Sequence, residues 1–394
     1  MISLNQDRAV ELNEGCLLMN ILFYLIRYPG IGGIESVTRL VAEQLNVSYN
    51  VNVTILSFGQ QGDSACSFAK ILKMPNSKEW CAKENYDFAE KVIDEGNFDY
   101  IVYQDSYANI QDVIFTAAKK HNVRVLVFEH NTPLYVLKNA VSRPLLSWHG
   151  IKSRLAVLYR ITQSVLRKRN LLKNCYKYVL LSSRFIPEFC RYTFAWKSKD
   201  KITYINNPVM IKEVKVAEKE NVILCVAQLA YRKRVDLMLK AWAKIYSRLP
   251  EWKFQIVGDG VERCHLENFV IENKIPRVEF IGYANPDAYY LKAKIFWMTS
   301  SFEGWGMTLV ECMQNECVPV VYNSFSSLLD IVDDEKNGFV VKNLDEQAFI
   351  RKTIMIADDD QLRTQMAKDA AKKARRFDVK VIAEKWAELL GIIA

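Results

Sequence analysis

Residues 300–320 of this 394-residue chain read SSFEGWGMTLVECMQNECVPV and carry two acids, Glu303 and Glu311, around a Gly-Trp-Gly turn. The apolar run Ile295–Met298 before the turn predicts a buried strand, and Met307–Gln314 after it predicts a short helix. Glycines let the backbone approach a ligand closely, and the unpaired N–H groups at the start of a helix favour an anion such as a pyrophosphate. The second carboxylate, deeper along the helix, can accept hydrogen bonds from a diol, so the stretch suits a sugar nucleotide.

Taken alone, the two acids fit a simpler interpretation, in which Glu303 favours the helix dipole and Glu311 is solvated. The whole string favours a site, because it resembles the Glu-x7-Glu motif of retaining glycosyltransferases of the GT-B fold. These form the large family-4-like group (glycosyl transferases group 1), of the kind used in bacterial surface polysaccharide synthesis. The positions that match the motif are Ser300, Glu303, Gly304, Gly306, Glu311, Pro319, Val320 and Val321.

The resemblance implies an α/β fold with two doubly wound Rossmann-like domains that face each other across a cleft. Strands and helices alternate in both halves of the sequence, which also predicts parallel sheets. The domains are predicted as a nucleotide-sugar-binding one at 221–377 and an acceptor-side one at 19–207. The remaining segments are residues 1–18, an extension that need not be ordered, a linker at 208–220, and a terminal helix at 378–394 that crosses back to the N-terminal domain.

Within the motif, the resemblance assigns the donor sugar to Glu303 and the ribose to Glu311. It also counts the turn between them as donor-binding, and this turn consists of Gly304, Trp305, Gly306 and Met307.

A Gly-rich turn, Gly30 to Gly33, follows the predicted strand Ile21–Ile26. The resemblance places Gly32 and Gly33 against the donor. By itself such a turn is equally well explained as a tight connection, since it lacks the spacing of a dinucleotide fingerprint.

Two side chains follow predicted strands at the edge where open α/β proteins bind ligands. His130 comes after Val123–Phe128, and the resemblance gives it a hydrogen bond to the donor sugar at the reacting centre. Asp105 comes after Tyr100–Tyr103 and is a candidate for acceptor contact, or equally for a helix cap.

A basic loop follows the predicted strand Val222–Ala227. Lys233 matches the family's phosphate-binding Lys, whereas Gln228 stands where the family carries an Arg. Either Arg232 or Arg234 is therefore expected to replace the missing cation, because guanidinium groups bind phosphate oxygens well. Otherwise, donor binding is expected to be weaker.

Two further turns resemble the nucleotide site of the family. Gly258 begins a Gly-Asp-Gly turn after the predicted strand Phe254–Val257, and Tyr283 follows Val278–Ile281 where the family holds the base. Neither turn identifies the base. The resemblance implies a nucleotide-sugar as substrate, expected to be a UDP- or GDP-sugar, and no cofactor.

The net charge of +8 is unevenly distributed, since residues 130–187 hold eleven Lys or Arg and no Asp or Glu. Apolar residues alternate with these cations, which predicts that segment 138–184 binds an anionic membrane surface. The alternative, compatible with the first, is a helix whose apolar stripe packs on its own domain. A nucleic-acid partner is not expected, because no helix-turn-helix, zinc module or RNA-binding signature accompanies the basic residues.

The sequence contains no run of eighteen apolar residues, so no membrane-spanning helix is expected. A secretory signal is not expected either. The nine Cys are scattered, and the Asp-x-Asp match at Asp358–Asp360 suits a solvated turn, so no metal site is expected. The sequence is therefore interpreted as cytoplasmic and peripheral on the inner face of the cell membrane.

The resulting hypothesis is a retaining, metal-independent hexosyltransferase for capsule or lipopolysaccharide synthesis. It would move a sugar from a nucleotide diphosphate to a lipid-linked or oligosaccharide acceptor, with His130, Glu303 and Lys233 at the reacting centre. Two alternatives remain open at this point. One is a sugar-nucleotide epimerase of the same fold, and the other is a non-catalytic, membrane-associated partner subunit of a true transferase.

Overall fold

Two parallel β-sheets, one in each half of the chain, organise the structure. The computed structural model describes residues 18–30, 32–59, 66–104, 111–142, 156–211 and 218–393. All paired strands of both sheets in the described residues are parallel, which agrees with the alternation of strands and helices in the sequence. The predicted α/β class is confirmed.

The first sheet has the strand order β3-β2-β1-β4-β5-β6-β7. Its central strand β1 is almost wholly apolar and buried, as expected for a parallel strand that is covered by helices on both faces. Its strands are β1 Asn20–Arg27, β2 Asn52–Gly59, β3 Ala69–Lys73, β4 Tyr100–Tyr103, β5 Arg124–Glu129, β6 Lys177–Leu180 and β7 Ile202–Tyr204. The helices are α1 Gly33–Tyr49, α2 Lys83–Gly96, α3 Gln111–Lys120, α4 Tyr135–Ser142, α5 Val157–Asn174 and α6 Phe185–Thr193.

The second sheet has the order β10-β9-β8-β11-β12-β13. Its strands are β8 Glu220–Val226, β9 Lys253–Val257, β10 Val278–Gly282, β11 Ala293–Met298, β12 Val318–Asn323 and β13 Phe339–Lys342. The helices are α7 Val235–Ile245, α8 Arg263–Glu272, α9 Asp287–Lys292, α10 Met307–Gln314, α11 Leu328–Ile331, α12 Glu346–Asp358, α13 Asp360–Ala374 and α14 Val379–Leu390. Short 3-10 helices lie at Trp196–Lys201, Tyr231–Lys233 and Arg375–Phe377.

The last helix, α14, packs on the first sheet. The ring of Trp386 stacks on Phe128 with centroids 4.3 Å apart and planes 1° from parallel, and it lies 5.8 Å from Phe23. The Asp378 carboxylate caps the helix by accepting a hydrogen bond from the Lys380 N–H at 2.9 Å. The C-terminal segment therefore contributes to the core of the N-terminal half.

The strand order reverses direction at β1/β4 in the first sheet and at β8/β11 in the second. Loops that leave neighbouring strands on opposite faces open a crevice at such a point, and ligands of doubly wound sheets bind there. The loops that follow these four strands carry most of the candidate residues.

The predicted membrane segment 138–184 is described only in part, because residues 143–155 lie outside the described ranges. Within α5, Lys168 does not face outward: it is 2% exposed and forms an ion pair with the buried Glu129. Lys168 is one of the eleven cations of residues 130–187, but it cannot serve a membrane surface, because the pair requires it to point into the domain. The opposite side of α5 exposes the apolar side chains Leu158, Tyr159 and Leu166 beside the cations Arg160 and Arg169.

The predicted extension 1–18 lies outside the described ranges except for Leu18, as do residues 212–217 of the predicted linker 208–220. No helix of the described chain combines the length and the apolar character that crossing a membrane requires.

Candidate functional site

A cleft of about 1150 Å³ opens between the carboxyl edges of the two sheets. Both halves of the chain contribute to its wall, as the strand orders lead one to expect. Twelve of the fifteen candidate residues line it, namely Gly32, Gly33, His130, Arg232, Lys233, Gly258, Tyr283, Glu303, Gly304, Trp305, Gly306 and Met307.

Glu303 lies at the centre of the charges in this cleft. Its carboxylate accepts a hydrogen bond from Lys233 Nζ at 2.5 Å and another from Arg232 Nη1 at 3.2 Å. Burial by itself would raise the pKa of Glu303, but the two neighbouring cations outweigh burial and hold the pKa below its usual value. The three groups together carry one net positive charge, so the cluster is prepared to meet an anion.

The turn after Glu303 approaches the first half of the chain very closely. A Cβ atom added to Gly304 would lie 2.2 Å from the backbone oxygen of His130, so only glycine fits there. Ser327 Oγ supports the turn from the other side by donating to the Gly304 oxygen at 2.9 Å. This contact brings Glu303 and His130 to one place although they are distant in sequence.

Helix α10 begins at this turn with its N-terminus toward the cleft. Its N-cap, Gly306, has φ of 89° and no side-chain cap, and both Met307 and Thr308 line the cleft. N–H groups of a first helical turn have no partner within the helix and attract anions. An anion in the cleft can therefore meet the Lys233–Arg232 pair and the amides of α10 together.

His130 is held by a residue that the sequence argument did not single out. Its Nε2 donates a hydrogen bond to Gln104 Oε1, and Gln104 is 1% exposed. Burial lowers the pKa of His130 to about 4, so the ring is neutral near pH 7. The buried Nδ1 atom has no partner among the described residues. Because β4 and β5 are paired neighbours, the residue after β4 was the signal that could have revealed Gln104.

Glu311 does not belong to the cleft wall. Its Oε2 atom accepts a hydrogen bond from the Tyr290 hydroxyl at 2.9 Å, and the carboxylate lies further along α10 than the residues that line the cleft. The sequence had placed this carboxylate on the ligand's diol. In the structure, the Glu311 side chain turns toward α9, and Met307 and Thr308 are the residues of α10 that line the cleft.

The two arginines beside Lys233 point to different places. Arg232 lines the cleft, whereas Arg234 lines a second cavity and donates to Asn343 Oδ1 at 3.3 Å. The divergence follows from the backbone, since the 3-10 turn ends with Arg234 at φ of 52°. Of the two alternatives for the missing cation, the structure brings only Arg232 to the cleft, beside Gln228.

The last candidate, Asp105, lies outside the described residues. Several polar side chains of the cleft were not picked out from the sequence, because each is ordinary in type and follows a strand end or a turn. Beyond Gln104, they are Asn131, Asn207 and Asn285.

Comparison with known proteins finds a matching family for the second half of the chain. The family model described as glycosyl transferases group 1 matches residues 207–373, which contain the whole second sheet, Lys233 and the Glu303–Glu311 stretch. This part of the chain is therefore similar to group 1 glycosyl transferases.

Two curated relatives show what the chain is similar to. A stretch of 176 residues is 30% identical to GalNAc-α-(1→4)-GalNAc-α-(1→3)-diNAcBac-PP-undecaprenol α-1,4-N-acetyl-D-galactosaminyltransferase of Campylobacter jejuni, and covers 44% of this chain and 49% of that protein. An uncharacterized glycosyltransferase of Haemophilus influenzae is 23% identical over 384 residues, which cover 93% of this chain and 99% of the relative. The chain thus spans about half of the first relative and nearly all of the second.

A solved structure extends the similarity in fold to both halves of the chain. HepE of Anabaena, in complex with UDP and glucose, superposes with a TM-score of 0.71 at 16% identity, covering 95% of this chain and 100% of that one. At this level of identity the match concerns the fold alone. The predicted GT-B architecture, with two Rossmann-like domains that face a cleft, is confirmed.

Proposed function

We propose that this chain is a retaining, metal-independent glycosyltransferase of bacterial surface glycan synthesis. It moves a hexose or acetamidohexose from a nucleotide diphosphate to a lipid-linked or growing glycan acceptor. The observation that carries the proposal is the convergence of Lys233, Arg232 and the N-terminus of α10 on one cleft that also holds Glu303 and His130. The match of residues 207–373 to the family model and the acceptor named for the Campylobacter relative support it.

The positive groups serve the leaving nucleotide diphosphate. Lys233 and Arg232 provide charge-assisted hydrogen bonds, and the amides at Met307 and Thr308 add the dipole end of α10. Charge grows on the diphosphate as the glycosidic bond breaks, so donors fixed in advance lower the barrier. Arg232 supplies the second cation, because Gln228 stands where the family carries an Arg.

Glu303 and His130 serve the sugar. In the free enzyme Glu303 is held by its two cations, and arrival of the diphosphate draws these cations away and leaves the carboxylate for sugar hydroxyls. Since His130 is neutral near pH 7, its Nε2 can exchange Gln104 for a sugar hydroxyl without a charge change. The departing phosphate takes the proton from the acceptor hydroxyl, so no protein nucleophile is required.

Glu311 and the turn residues serve the nucleoside. Glu311 accepts the ribose hydroxyls once it exchanges or shares its bond with Tyr290. Gly258 and Tyr283 line the cleft on the nucleotide side and flank the base. The UDP in the HepE complex favours a UDP-sugar among the expected donors.

The outer face of α5 supports association with the inner face of the membrane. Exposed Leu158, Tyr159 and Leu166 alternate there with Arg160 and Arg169. Apolar side chains among cations suit an anionic bilayer surface. The enzyme would then meet a lipid-linked acceptor where this acceptor resides.

The first experiment is a thermal-shift screen of the purified chain against UDP-, GDP-, ADP- and dTDP-sugars. One nucleotide family should raise the melting temperature. Lys233→Met and Arg232→Asn should weaken the binding at least tenfold, because each loses a charge-assisted bond worth about 1.5–3 kcal/mol. Arg234→Asn is the matched control, since Asn also tolerates a positive φ and this side chain lies outside the cleft.

Each outcome of the screen decides something. Absence of any nucleotide response would refute the donor site and favour a non-catalytic partner subunit. Equal losses for Arg232→Asn and Arg234→Asn would refute the assignment of Arg232. Product analysis of the bound nucleotide-sugar, incubated without any acceptor, completes the test. Formation of an epimeric sugar product would identify an epimerase instead.

A further inference from the structure

A second cavity, of about 1300 Å³, lies on the other side of the Tyr231–Lys233 turn from the cleft. Helix α4 of the first half forms one wall, and α7, α8 and the loop after β13 form the other. The functions assigned above do not use this cavity. Its size is that of a ligand site rather than of a packing defect.

The rim of this cavity gathers exposed apolar side chains from separate elements. Val261 is 81% exposed, Leu344 61%, Val141 59%, Tyr231 44% and Leu137 37%. Single exposed apolar residues are ordinary, but several that converge on one concave surface mark a binding site. The cavity therefore suits a ligand with a substantial aliphatic part.

Two cations face the same space without a carboxylate in ion-pair contact. Lys138 and Arg234 line the cavity, and neither has an acidic partner within 4 Å in the described part of the chain. Burial lowers the pKa of both groups, while the charge of Glu188 opposes this effect at Lys138 and that of Asp236 opposes it at Arg234. Lys240, by contrast, is paired with Asp236 at 3.0 Å.

Half-buried cations that lack an acid gain from an anion that enters beside them. An anionic head group next to an aliphatic chain therefore matches both the charge and the surface of this cavity.

The cavity also adjoins the cleft directly. Phe302 lines both spaces, and the turn between them directs Arg232 and Lys233 to the cleft and Tyr231 and Arg234 to the cavity. The turn is tied to the Glu303 loop, because Ser301 N–H donates to the Arg232 oxygen at 2.7 Å. A ligand anchored in the cavity can thus extend across Phe302 toward the reacting sugar.

We propose that this cavity binds the phosphate head and the first aliphatic units of a long-chain lipid phosphate that carries the acceptor glycan. Lys138 and Arg234 hold the phosphate, and the rim around Val261 and Leu344 covers the chain. The role as acceptor carrier rests on the proposed function, whereas binding of the lipid phosphate does not.

The probe is farnesyl phosphate, kept below its micelle concentration and measured by calorimetry, with farnesol and inorganic phosphate as partial ligands. Wild-type protein should bind farnesyl phosphate at least tenfold more tightly than either. Val261→Glu should weaken this binding at least tenfold, because it adds an acid to the rim. Val47→Glu is the matched control, since Val47 is a 74% exposed valine on α1, away from the cavity. Lys138→Gln should weaken the binding of farnesyl phosphate and leave the binding of farnesol unchanged.

Equal affinity for farnesol and farnesyl phosphate would overturn the phosphate site. Equal effects of Val261→Glu and Val47→Glu would overturn the location. Binding to phosphatidylglycerol vesicles without binding to the monomeric probe would mean a bilayer contact instead, and would also overturn the proposal. The thermal-shift screen with UDP-, GDP-, ADP- and dTDP-sugars on the same variants separates the two hypotheses. Absence of a shift with all four refutes the transferase function and leaves the lipid site, whereas a shift without farnesyl phosphate binding does the reverse.

Discussion

Replacing Lys168 by methionine removes one partner of a buried ion pair behind the candidate site. The Lys168 amino group contacts the carboxylate of Glu129, which is fully buried and also accepts a hydrogen bond from the Tyr178 hydroxyl at 2.7 Å. Glu129 is the last residue of β5, directly before His130. The pair therefore joins α5, whose outer face is the proposed membrane contact, to the strand that carries the histidine.

The cost of this change comes from the carboxylate that is left behind. Methionine matches the length of the lysine stem, so little packing is lost, but removing one partner of a buried ion pair costs about 3–5 kcal/mol. For a folding unit of 150–250 residues, each kcal/mol shifts the melting temperature by about 2–4 °C, which gives a decrease of about 6–20 °C. The double variant with Glu129→Gln carries neither charge and keeps an acceptor for Tyr178, so it should regain most of the loss.

Urea and thermal unfolding followed by circular dichroism measure both variants. The UDP thermal shift should persist in Lys168→Met at temperatures where it is folded, because the nucleotide side of the cleft belongs to the other half. Turnover should fall in the single variant and recover in the double one, as His130 regains its support. A loss below 1 kcal/mol in Lys168→Met, or a double variant as unstable as the single one, would refute the argument that the pair compensates buried charge.

Four further changes have defined outcomes. Glu303→Gln removes the negative charge that Lys233 balances and leaves the Lys233 cation in place. Turnover should therefore fall at least tenfold, with a smaller effect on nucleotide affinity, and steady-state kinetics measures both. Gly304→Ala should reduce turnover at least tenfold, since the new methyl group meets the His130 oxygen, whereas Gly59→Ala meets only ordinary contacts starting at 3.6 Å and serves as control. Folding depresses the pKa of His130 from 6.5 to about 4, so the unfolded chain binds that proton more strongly, and roughly 3 kcal/mol of stability should disappear as pH falls from about 6.5 to about 4. Urea unfolding of wild type and His130→Gln at pH 7 and 4.5 checks this, with a smaller decrease expected in the variant. Trp386→Ala should cost about 3–5 kcal/mol in urea unfolding, because it opens a cavity against the first sheet.

Local patterns were sufficient where neighbouring residues decide the outcome. The helix Met307–Gln314 has the predicted bounds, and the helix Val379–Leu390 lies within the predicted terminal segment 378–394. Glycines or an Asp cap precede these helices, and apolar residues recur in them at helical spacing. Most predicted strands differ by one or two residues at an end, where hydrogen bonding between strands, rather than composition, sets the limit.

The arrangement of the site was only partly predictable. That His130 and Glu303 share a cleft follows from strand ends in doubly wound sheets, which the alternation of elements indicates. The directions of individual side chains do not follow in this way. Arg232 and Arg234 differ by two positions in the sequence, yet one positive φ sends them into separate cavities. Likewise, Glu311 turns to Tyr290, a residue from a helix that the sequence argument did not consider.

The sequence by itself determined the α/β class, the Glu303–Glu311 motif and the glycines that permit close backbone approach, because these depend on residue type and short-range spacing. The tertiary structure alone decided that Lys168 is buried against Glu129, that Gln104 holds His130, and that a second cavity with Lys138 and Arg234 adjoins the cleft. Each of these depends on which elements, distant in the sequence, pack together. The free energy of such contacts cannot be inferred from any one segment alone.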